Sequence, residues 1–115
     1  MIDLDFIAKL NRFLTDHPAS VTRLVSTVNR NRAVGGGANS GHLFRNGNAV
    51  DLIFDSDEEL YDGAAAAKNY GFSGIELDMT NYHLHLDTKP RQWMVVHYGK
   101  NDDRPLEEWI ATRDV

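Results

Sequence analysis

The chain has 115 residues, 42% apolar and 25% charged, with a formal net charge of −5 and no cysteine. These totals suit one globular domain, residues 1–115, built around a single modest core. They exclude disulfides, thiolate metal sites, a membrane-spanning stretch and the basic face that general nucleic-acid binding requires.

The predicted elements follow in chain order. Ile2, Phe6, Ile7, Leu10, Phe13 and Leu14 recur at three- and four-residue steps and predict a first helix, which Asp16-His17-Pro18 ends because proline disfavours helical geometry at the residue before it. Val21 to Thr27 reads as a strand, Asn29 to Val34 as a short helical turn, and Gly35-Gly36-Gly37 as a loop. Val50 to Phe54 is a strand. Ser56, with Glu59 three residues later, is a capping box opening a helix that runs through Ala64 to Ala67 and stops at Gly71. Ile75 to Leu77, His83 to Asp87 and Trp93 to Tyr98 are further strands, and Pro105 to Thr112 forms a closing helix with proline in its first turn. The order implies an α+β fold, a mostly antiparallel sheet flanked by helices.

Chemistry concentrates in two stretches. In Tyr82-His83-Leu84-His85-Leu86-Asp87, strand alternation sends Leu84 and Leu86 to the core and places His83, His85 and Asp87 together on the opposite face. That face is either a polar site or a solvated strand with a pH-sensitive pair of histidines. In Ser40 to Phe54, Asp51 interrupts an apolar run, which is costly unless something pairs with it. The partner is either an arginine (Arg30, Arg32 or Arg45) or a cation. His42 and Asp51 flank the turn Arg45-Asn46-Gly47-Asn48, so a hairpin-like return brings them together, and His85 supplies a third ligand from another strand. A cysteine-free zinc site needs such a set, with one position left open in catalytic sites.

The ordered motifs carry a resemblance. Asn31-Arg32-Ala33-Val34-Gly35-Gly36-Gly37-Ala38-Asn39-Ser40-Gly41-His42-Leu43, followed by Gly47-Asn48-Ala49-Val50-Asp51-Leu52, resembles the first signature of the zinc D-alanyl-D-alanine carboxypeptidases and L-alanyl-D-glutamate endopeptidases, which cut peptidoglycan peptides. Gly71-Phe72-Ser73-Gly74-Ile75 and His83-Leu84-His85-Leu86-Asp87 resemble the second half, so the likeness runs from Val21 to Trp93. It implies a Zn2+ ion held by His42, Asp51 and His85 in a cleft on the sheet, and His83 as the non-ligand histidine that stabilises the transition state. The implied substrate is a peptidoglycan stem peptide.

The chain departs from that pattern at three places. The interval from His42 to Asp51 is two residues longer than is usual in the family, an insertion that a surface turn absorbs cheaply. No arginine aligns with the family's carboxylate-binding arginine; Arg30 is the replacement, with Arg23 behind it. Tyr82 stands where the family places an acid, which leaves His83, Glu76 or Asp78 as the general base. Other prominent residues take plain readings. His17 is a helix-end residue, Trp93 and Trp109 are core or rim packing, and His97 is structural. Asp102-Asp103 is a solvated turn, and Asp87 either orients a histidine or is a surface carboxylate.

Two further readings stand beside the peptidase: a catalytically inactive zinc-bearing binding or virion structural module of the same fold, and a metal-free interaction domain. The start MIDLDFIAKLNRF alternates charged and apolar residues and is no secretory signal. The expectation is a monomer made in the cytoplasm that acts on the cell wall after release, as a phage endolysin does, or as part of a virion.

Overall fold

A computed structural model describes residues 3–25 and 49–113. Along the chain these form α1 (Leu4–Asp16), β1 (Ser20–Val25), β2 (Ala49–Ile53), α2 (Asp57–Ala66) with a 3-10 turn at Ala67–Tyr70, β3 (Gly74–Asp78), β4 (His83–Asp87), β5 (Trp93–His97), β6 (Asp103–Pro105) and α3 (Leu106–Arg113). The strands make one six-stranded sheet in the order β1-β2-β4-β3-β5-β6. All neighbours are antiparallel except β3 and β5. The architecture is the expected α+β. The turn read at Asn29 to Val34 and the loop at Gly35-Gly36-Gly37 lie outside the described residues.

Local chemistry sets the helix ends. Asp3 caps α1 by accepting from the Asp5 N–H at 2.9 Å, and His17 closes it with an N–H bond to Phe13 O at 2.8 Å, just before Pro18. Ser56 caps α2 by accepting from the Glu59 N–H at 3.1 Å. Asp57, Glu58 and Glu59 place negative charge on the first turn, where the helix dipole favours it. Gly71, at φ 93°, ends the following 3-10 turn in a left-handed conformation that suits glycine. α2 lies close to the aromatic core because Gly63 has no side chain: a Cβ there would stand 2.8 Å from the Phe54 ring.

Strand alternation divides the sheet into two faces. Val50, Leu52, Ile75, Leu77, Leu84, Leu86 and Val96 point one way and are buried against Phe6, Leu10 and Phe13 of α1, Leu60 and Ala64 of α2 and Leu106 of α3. Each such side chain contributes about 1.5 to 3 kcal/mol by leaving water. Among the described residues the helices thus pack on one face, and the other carries most of the polar side chains of the central strands.

Two expectations are corrected. Asp103 belongs to β6, where it pairs with His97, and is not part of a solvated turn. Pro105 ends that strand, so the closing helix starts at Leu106. No helix among the described residues is long and apolar enough to cross a membrane.

Candidate metal centre

The register aligns the polar face in rows. Asp51 of β2 lies opposite His85 of β4, which lies opposite Glu76 of β3. One step towards the β3–β4 turn, His83 lies opposite Asp78, Asp78 beside His97, and His97 opposite Asp103. One step the other way, Ala49, Asp87, Gly74 and Trp93 form a third row. The sheet therefore collects Asp51, Glu76, Asp78, His83 and His85 on one face. His42 and Arg30 lie outside the described residues. Arg23, the reserve for Arg30, is exposed on β1 and is the register partner of Asp51.

His85 sits between two carboxylates. Its Nδ1 is 3.0 Å from Asp51 Oδ1 and its Nε2 is 2.8 Å from Asp87 Oδ2. Burial pushes the His85 pKa down, but the bonds to Asp87 and Asp51 outweigh it and the net shift is upward. An imidazole donates from both nitrogens only when protonated, so a cationic ring satisfies both acids.

Asp87 is no surface carboxylate: its side chain is 0% exposed. It accepts Arg91 Nη1 and Nη2 at 3.0 Å each, the Lys89 N–H at 3.2 Å and His85 Nε2. Burial raises its pKa, yet the His85 and Arg91 bonds prevail and hold it at about 2. The fork is built where the chain leaves β4, crosses the end of β3 and enters β5. Trp93 N–H bonds to Ser73 O at 2.9 Å, and Ser73 Oγ donates to Lys89 O at 2.6 Å, which fixes that crossing. Gly74, opposite Asp87, leaves the space that the carboxylate fills.

The neighbouring row is organised differently. Asp78 accepts the Thr80 N–H at 2.8 Å, the Thr80 hydroxyl, the Asn81 N–H at 3.2 Å and Asn81 Nδ2, and so closes the β3–β4 turn. Burial raises its pKa, but the Thr80 and Asn81 bonds bring the net shift downward. His83 Nε2 is 3.8 Å from Asp78 Oδ2, an electrostatic contact beyond hydrogen-bond length. Tyr82 ends the turn at φ 53° and is 48% exposed. Glu76, His97 and Asp103 form a separate group whose ligand atoms all lie within 4.8 Å of one another.

Arg91 and the pair His97–Asp103 escaped the sequence reading. Arg91 had one signal, its position four residues after Asp87. His97 had another: with Val96 facing the core, alternation places it on the polar face. Trp93 is 44% exposed, a rim residue on that face. His17 stacks on Phe13 at 5.2 Å, and Trp109 packs edge-on to Tyr61. A cavity of about 470 Å³ between the end of α2 and α3, lined by Ala65, Met94, Leu106 and Ile110, brings none of these acids or histidines together.

The donor chemistry at Asp51 and His85 fits a zinc ion. Bonds of about 2.0 to 2.1 Å in tetrahedral array put neighbouring donors roughly 3.3 Å apart; Nδ1 and Oδ1 stand at 3.0 Å. The second ring nitrogen already has the carboxylate partner that metal-binding histidines keep. Against known proteins, residues 4–87 match the family model for Peptidase M15. No curated protein and no solved structure matches the chain.

Proposed function

The chain belongs to the Peptidase M15 family, a family of zinc D-alanyl-D-alanine carboxypeptidases, and from that premise we propose that it hydrolyses an amide bond in peptidoglycan stem peptides with zinc held by His42, Asp51 and His85. The observation that carries this reading is the 3.0 Å approach of His85 Nδ1 to Asp51 Oδ1, two ligand-type groups 34 residues apart in the chain. Bound zinc supplies a Lewis acid that acidifies a water and polarises a carbonyl.

The chain's own residues supply the rest. Asp87 and Arg91 hold the His85 ring by its far nitrogen, so that Nδ1 faces Asp51. His83 shares the face of His85 two residues away and carries the proton between water and the leaving amine. Asp78 is engaged with the turn and Glu76 is grouped with His97 and Asp103, which supports His83 over either acid in that role. Arg30 pairs with a carboxylate of the stem peptide. The protein works as a monomer, on the wall after release or from a virion.

Mass analysis of muropeptides after digestion tests the proposal. Wild type releases D-alanine, or separates L-alanine from D-glutamate, and His85→Ala abolishes either product. A wild-type sample loaded with zinc that releases neither product overturns the hydrolase reading. That outcome supports the second one, a zinc-bearing binding or virion module, which the exposed Tyr82 at the usual position of an acid favours.

A further inference from the structure

We propose that Glu76, His97 and Asp103 form a second cation site, for a first-row divalent ion such as Zn2+ or Mn2+, at the β5–β6 end of the polar face. Each donor comes from a different, adjacent strand, and all three ligand atoms lie within 4.8 Å of one another. The site shares no residue with Asp51 and His85 and goes beyond the proposed hydrolysis, on which it does not depend.

A surface ion pair explains only part of the group. His97 Nδ1 contacts Asp103 Oδ1 at 2.5 Å, and that bond accounts for two of the residues. It leaves Glu76 turned towards the same point, with Asp78 beside His97 in register. Two carboxylates then share one imidazole, and the group stays negative even when the ring is protonated. The hydrogen bond to Asp103, with the charges of Asp78 and Glu76 behind it, raises the His97 pKa. A divalent ion offsets that charge where a single proton does not.

The donor set chooses the ion. Carboxylates suit Mg2+, Ca2+ or Mn2+ and an imidazole suits Zn2+, so this mixed set points to zinc first, with manganese as the carboxylate-preferring alternative. His97 and Asp103 side chains are 30% and 38% exposed, so both have freedom to draw in around an ion. Such an ion ties the three-residue edge strand β6 to β5 and β3 and fixes that rim of the polar face.

The test counts ions on the full chain, stripped of metal and titrated with ZnCl2 and separately with MnCl2, by native mass spectrometry, with thermal melts in parallel. Asp51→Asn/His85→Ala keeps one ion per chain and melts higher as zinc is added. Adding His97→Gln/Asp103→Asn to it removes that ion and the shift in melting. In wild type, zinc moves the 15N signals of the His97 ring. If Asp51→Asn/His85→Ala is folded by circular dichroism and binds no ion, or if wild type loses nothing on His97→Gln/Asp103→Asn, the second site is refuted. Should Asp51→Asn/His85→Ala not fold, the wild-type count against His97→Gln/Asp103→Asn decides alone. A wild-type chain that binds one ion, lost only with His97 and Asp103, upholds this site and removes the one at Asp51 and His85.

Discussion

Gly74 and Asp87 face each other across β3 and β4, and the carboxylate of one occupies the volume that a side chain on the other would need. Asp87 cannot swing away, because Arg91, His85 and the Lys89 N–H all hold it. Gly74→Ala therefore forces either the strand or the carboxylate to shift, at a cost of about 1 to 3 kcal/mol. Urea denaturation measures that loss, and a competition assay should show zinc affinity falling with it. An alanine variant as stable as wild type would mean that Asp87 is not held as described.

Acid should expose the same carboxylate. The Asp87 pKa is lowered from 3.8 to about 2, so the unfolded chain takes up the proton first as pH falls. Its contribution is fully present above pH 3.8 and is lost as pH falls through about 2. The gap corresponds to about 2 kcal/mol. In chelator, wild type should lose that much more stability than Asp87→Asn between pH 4 and pH 2, and the two melting curves should converge at the acid end. Parallel curves would contradict this origin of the acid sensitivity.

The sequence is legible where local pattern and tertiary fold agree. His83 to Asp87 alternates polar and apolar residues with no competing helical period, and β4 has those bounds. The face shared by His83, His85 and Asp87 follows directly from that alternation. What is not legible comes from contacts distant in the chain. The burial of Asp87 depends on Gly74, thirteen positions earlier, and on an arginine beyond a proline. β6 is three residues long in an acidic stretch, and only its pairing with β5 makes it a strand. His42 and Arg30 lie outside the described residues, so the roles given to them rest on the family resemblance.

The helical layer depends on one ring. Phe13 is 0% exposed and meets Tyr70 at 5.3 Å, Phe72 at 6.0 Å and Phe54 at 6.5 Å between centroids, each edge-on. It joins α1 to the 3-10 turn after α2 and to the strand that leads into α2. Phe13→Ala should cost about 3 to 5 kcal/mol, read as a lower urea midpoint with an unchanged slope. A loss below about 1 kcal/mol would show that α1 packs less tightly than these distances imply.

Arg91 separates charge from geometry in positioning His85. Its two nitrogens reach one oxygen each of Asp87 at 3.0 Å, a planar fork that an ammonium group cannot reproduce. Arg91→Lys keeps the positive charge beside the carboxylate, so it should preserve most of the depression of the Asp87 pKa and most of the acid stability. It lets the carboxylate rotate, however, and the His85 ring with it. Zinc affinity should then fall about tenfold or more, in line with the loss of a group that supports a metal ligand from behind, while Arg91→Gln loses both the affinity and the acid stability. Zinc competition and acid melts on the two variants make the comparison. Equal zinc affinity in wild type and Arg91→Lys would show that charge alone holds His85 in place.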